Sequence, residues 1–77
     1  MTKYAKLRMY AILEAKILIL LHTKGDQQTE DLDSTLGVQN EPDAKRAVRL
    51  ALGSLLEKGL IEPSTAITGI TLVKELQ

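Results

Sequence analysis

The chain has 77 residues and no cysteine, which predicts one small domain without a disulfide framework, a thiolate metal site or a cysteine nucleophile. Ten basic residues balance ten acidic ones, so general electrostatic attraction to nucleic acid is excluded and DNA binding would need a local patch. Hydrophobic residues make up 44% of the chain, yet Phe and Trp are missing; a core of Leu, Ile, Val and Ala is small, and an obligate dimer is expected to add buried surface.

Residues 3 to about 23 form the first expected helix, with no Gly or Pro inside it and Gly25 just beyond. Leu13, Ile17, Leu20 and Leu21 supply its core stripe. Ile12, Ala15 and Ile19 are apolar as well, so only a narrow face remains for water. In the first half Tyr4, Leu7, Tyr10 and Ala11 recur at helical spacing, interleaved with Lys3, Lys6 and Arg8. That early stripe has two readings, a homodimer interface or a cap on the same core. The basic start is not a signal peptide, because Arg8, Glu14 and Lys16 interrupt the apolar run. The longest unbroken run, Ile17 to Leu21, is far short of a membrane span. A cytoplasmic protein with no membrane partner is expected.

Gly25 to Gln28 reads as a polar turn. Thr29 is the expected cap of a short helix over 30–36, whose first turn carries Glu30, Asp31 and Asp33 where carboxylates suit the helix dipole. Leu32 and Leu36 are its core contacts, Gly37 its stop, and Val38 turns inward before Gln39 and Asn40. A third helix over 42–58 follows, capped by Asn40 or Glu41 and opened by Pro42, whose missing N–H has no helical partner there anyway. Ala44, Val48, Leu52 and either Leu55 or Leu56 make its apolar stripe. Lys45, Arg46 and Arg49 cluster on the other side, Lys58 sits in the last turn, and Gly59 supplies a left-handed stop. Beyond it the pattern becomes β-prone: Leu60 to Glu62, a break at Pro63 and Ser64, turn formers to Gly69, then Ile70 to Val73. That is a hairpin over 60–73 with a short tail.

The fold class is therefore mainly α with a small β-hairpin. Three stretches carry a resemblance: Ile17 to Leu21, Thr29 to Leu32 with Leu36-Gly37-Val38, and Leu55-Leu56-Glu57-Lys58-Gly59-Leu60-Ile61. Together they resemble the winged helix-turn-helix superfamily, common among small prokaryotic, archaeal and viral regulators. The resemblance implies three helices plus a wing, with the third helix in the major groove of double-stranded DNA. It puts Lys45, Arg46 and Arg49 at recognition positions, where an arginine fork suits guanine, and Gln39 and Asn40 near phosphates. It implies a transcriptional regulator, and the surplus apolar surface of the first helix predicts that it acts as a homodimer through Tyr4, Leu7, Tyr10 and Ala11.

Several residues depart from that pattern. Residues 63–69 contain no Lys or Arg, three acids open the second helix, and Glu41 and Asp43 flank the third. Leu50, Ala51 and Leu56 place apolar groups on its outer side, and Ala47, Ala51 and Gly53 would let another backbone come close. These favour the alternative, a winged-helix module that binds a protein partner and not DNA. The basic cluster also fits an ordinary solvated helix face. Catalysis, metals and cofactors are not expected. His22 is the single histidine, the acids at 30, 31 and 33 have no nucleophile motif near them, and Ser34, Ser54 and Ser64 sit in no nucleophile elbow.

Overall fold

A computed structural model describes residues 3–77, with side chains from Arg8 onward. Its elements are α1 (Lys3–Lys24), α2 (Thr29–Leu36), α3 (Pro42–Glu57), β1 (Ile61–Pro63), β2 (Ile70–Leu72) and a 3-10 turn at Lys74–Leu76. Mainly helical, with one antiparallel two-strand hairpin, the architecture is compatible with a winged helix. No helix among the described residues is long and apolar enough to cross a membrane.

The core forms where the stripes of the three helices and the hairpin converge. Ile17 and Leu21 from α1 meet Leu32 from α2, Val48, Ala51, Leu52 and Leu55 from α3, and Ile61 and Leu72 from the hairpin. Leu13, Leu20, Leu36 and Val38 pack around this centre. Of the two candidates at the end of the α3 stripe, Leu55 is buried and Leu56 is exposed. Ala51, expected on the outer side, is buried instead: at one turn from Val48 and Leu55 it shares their face.

Glycine ends α2 and α3 in the same way. Gly37 and Gly59 take left-handed φ values of 74° and 71°. The next N–H reaches back to close the last turn, Val38 to the Asp33 carbonyl at 2.9 Å and Leu60 to the Leu55 carbonyl at 3.0 Å. This paired closure satisfies carbonyls that would otherwise lack partners, and the hydrophobic residue after each glycine packs against the core. The start of α2 differs from expectation, since Thr29 lies inside the helix and Gln28 precedes it. Glu41, one of the two expected residues, stands at the cap position of α3, and neither flanking side chain makes a capping hydrogen bond. The main-chain carbonyls of both do accept the first helical bonds, from Leu32 and Lys45.

The turn before α2 is more than a polar turn. Gln27 exchanges both backbone hydrogen bonds with Ile70, at 3.0 and 2.9 Å, adding one bridge to the outer edge of β2. Ile70 thus has both main-chain groups pointing away from β1. Its cross-strand partner Pro63 needs no N–H, which is why proline extends β1 instead of ending it one residue earlier. Gly69 lies so close to Gln27 that a Cβ would stand 2.8 Å from the Gln27 carbonyl carbon and nearer still to its oxygen.

Candidate nucleic-acid interface

The first turns of α3 and the loop before them form the candidate surface. Pro42 fixes the entry of the chain into α3, and the burial of Val48 and Leu52, with Ala44 half-buried on the same face, turns the opposite side outward. Arg46 is exposed there, Lys45 is half-buried, and Gln39 and Asn40 are exposed in the preceding turn. Gln39, Asn40, Pro42 and Lys45 line one shallow recess. None of the Gln39, Asn40, Lys45 and Arg46 side chains hydrogen-bonds another described residue, so their donors face solvent.

Arg49, the third predicted recognition residue, has a different position. Its two terminal nitrogens, Nη1 and Nη2, donate to the two carboxylate oxygens of Asp33 at 2.9 and 2.6 Å, joining α3 to α2. Asp33 is 2% exposed, whereas the Arg49 side chain is 41% exposed. The sequence groups Asp33 with Glu30 and Asp31 as carboxylates that suit the α2 dipole; the structure turns Asp33 inward and pairs it. The hydrogen bonds from Arg49, more than burial opposes them, hold the Asp33 carboxyl below the usual carboxylate range, and the Lys45 charge adds to the effect. Asp33 in turn raises the affinity of the guanidinium for its proton. Two of the five N–H groups of Arg49 are engaged this way and three remain for other acceptors.

The electrostatic surroundings are mixed. Residues 29–57 carry six acids against three bases, and residues 3–24 carry five bases against one acid. Glu30, Asp31, Glu41 and Asp43 are all exposed near the candidate surface. On the outer side of α3, Leu50 is 55% exposed, and Leu56 is exposed further along.

The hairpin loop presents no cation, as its sequence showed. Its shape comes from Ser64. The Ser64 hydroxyl donates to Asp26 and accepts from the Ala66 and Ile67 N–H groups at 3.0 and 3.2 Å. That bond holds the Asp26 carboxyl below its ordinary range. With both lone pairs engaged, Ser64 organises a turn and is poorly placed as a nucleophile. Lys58, expected to serve the α3 dipole, reaches α1 instead and donates to both Glu14 oxygens at 3.1 Å. The Ser54 hydroxyl, then the Lys58 ammonium, keep the Glu14 carboxyl below its ordinary range.

Of the predicted dimer residues, Tyr4 and Leu7 have side chains outside those described. Tyr10 and Ala11 line a groove between α1 and α3 with Leu50, Ala51 and Ser54. Sequence reasoning missed three contacts that organise this surface: Asp33–Arg49, Gln27–Ile70 and Asp26–Ser64. Each links positions far apart in the chain, and only Gly69 hinted at one of them, as a residue where backbones approach. The chain matches no protein-family model, and neither the curated proteins nor the solved structures include a detectable match.

Proposed function

We propose that this chain is a winged-helix protein that binds double-stranded DNA through the start of α3, with Lys45 and Arg46 at base edges or phosphates and Gln39 and Asn40 on the backbone. The observation that carries the reading is the set of four exposed or half-exposed polar side chains, free of intramolecular partners among the described residues, at one end of one helix. Hydrogen bonds already made within the protein must be broken to bind DNA; these do not exist here. Arg49 supports the same surface from behind, its fork oriented by Asp33 and three donors still available. A transcriptional regulator acting as a homodimer would set two α3 helices about 34 Å apart, one turn of B-DNA.

The excess of acids over residues 29–57 and the exposed Leu50 favour a second reading, a protein-binding module using the outer face of α3. Fluorescence anisotropy with random-sequence duplex DNA separates the two. If Lys45 and Arg46 from each of two copies neutralise phosphates, a fourfold rise in salt weakens binding on the order of 100-fold. The double variant Lys45→Ala, Arg46→Ala then abolishes binding without lowering the melting temperature. Absence of binding at low salt would reject the DNA reading and leave the protein-binding one.

A further inference from the structure

The α1 helix is apolar on two opposite sides. Ile17 and Leu21 face the core, while Ile12 is 50% exposed, Ile19 is 61% exposed and Ala15 lies exposed between them on the reverse side. A helix apolar all round is ordinarily covered all round. The reverse side has no acid on it; Arg8 and Lys16 are its charged neighbours. This stripe is separate from the groove that contains Tyr10 and Ala11.

We propose that a second copy of this chain covers the reverse side of α1, the two α1 helices crossing antiparallel at Ala15 and Lys16. This deepens the homodimer part of the proposed function and moves its interface from Tyr4, Leu7, Tyr10 and Ala11 to Ile12, Ala15 and Ile19. Two observations select this occupant. First, the stripe is self-complementary. Ile12 and Ile19 stand about 10 Å apart along the helix, with the small Ala15 beside their midpoint, so a two-fold axis between Ala15 and Lys16 sets each Ile12 against the partner's Ile19.

Second, Ile19 borders an almost wholly apolar recess of about 280 Å³, lined also by Leu18, His22, Leu72 and the exposed Leu76. The Ile12 of the second copy fills it in this register. Antiparallel packing aligns the helix dipoles head to tail and separates the two basic N-terminal segments, Lys3, Lys6 and Arg8; it brings the two exposed Lys16 side chains to the crossing, where their flexible stems carry the ammonium groups out to water.

The test uses the full chain without DNA. Light scattering coupled to size exclusion is expected to give twice the monomer mass for the native protein. Ile19→Glu should give the monomer mass, and Leu50→Glu, on the other side of α1, should leave the dimer intact. Both positions are more than half exposed, so circular dichroism should show both variants folded. Because the chain has no cysteine, single cysteines report the register directly. Ala15→Cys should oxidise to a linked dimer, whereas Ile12→Cys should not, since two antiparallel copies hold those positions well beyond the roughly 7 Å Cα limit for a disulfide. A native monomer at about 100 µM, weaker than any dimer of standard interface area, would overturn the proposal. So would a dimer that survives Ile19→Glu, or linkage at Ile12 in place of Ala15. An intact dimer that ignores DNA would reject only the DNA reading, and a monomer that still binds DNA would reject only this interface.

Discussion

Removing the Arg49 side chain tests whether the α2–α3 unit depends on one ion pair. Arg49→Ala deletes two charge-assisted hydrogen bonds, at 2.9 and 2.6 Å, and leaves the Asp33 carboxylate, 2% exposed, without a partner. Stranding a deeply buried charge costs about 3–5 kcal/mol. The pair lies at the edge of the protein, because the Arg49 side chain bonded to Asp33 is 41% exposed. Water therefore reaches the carboxylate once Arg49 is truncated, and screening reduces the loss to about 2 kcal/mol. For a domain of this size that lowers the melting temperature by about 10 °C.

Thermal unfolding followed by circular dichroism at neutral pH measures it, with Asp33→Asn and the double variant completing a cycle. The acid dependence has a definite sign. Asp33 has a lowered pKa in the folded protein, so its contribution is complete above the unfolded carboxyl value near 3.8 and is lost as pH falls through the lower folded value. The advantage of the native protein over Asp33→Asn should therefore persist at pH 5 and vanish at the acid extreme. A coupling energy under about 0.5 kcal/mol, the scatter of independent sites, would refute the reasoning and make Arg49 an ordinary surface arginine.

Gly69→Ala forces a methyl group into the Gln27 backbone and should cost about 1–3 kcal/mol; amide exchange at Gln27 and Ile70 should quicken more than exchange in α3. Leu32→Ala, at a fully buried core position, should destabilise by about 2–5 kcal/mol in a chemical-denaturation series. Lys58→Ala breaks a pair whose lysine is exposed, and its melting temperature should shift by less than that of Arg49→Ala, corresponding to under about 1 kcal/mol.

The elements were legible where local chemistry decides them. Gly37 and Gly59 marked two helix ends, Pro42 a helix start, and the spacing of Val48, Leu52 and Leu55 a core face, all from a few neighbouring residues. The hairpin was legible for the same reason, although Pro63 was read as its break; whether proline fits depends on which edge of Ile70 is bonded, and that edge is set by Gln27, more than forty residues earlier. The candidate surface was legible only in part. Arg46 is exposed and Lys45 half-buried on the side of α3 that a helix-face argument predicts, and Gln39 and Asn40 are exposed in the turn before it. Arg49 and Asp33 occupy the same kind of surface positions in sequence, and nothing local tells a solvated charge from one that closes onto a partner sixteen residues away. The α1 helix posed a related ambiguity. Its surplus apolar side chains were visible, but the direction in which α3 packs decides which of them stay exposed.

The Ser64 turn separates the hairpin loop into a part that holds shape and a part that faces solvent. The base is fixed by Ser64, Asp26, Gly69 and Gln27, while Ala66 and Ile67 take part through their backbone N–H groups alone. Side chains at Thr65, Ala66, Ile67 and Thr68 are exposed, so their replacement leaves the scaffold intact. Charge at the tip of the hairpin loop is thus an independently adjustable quantity in this fold. Lysines introduced at those four sites would give the neutral loop an affinity for a polyanion at little cost to folding, and acidic residues would do the reverse.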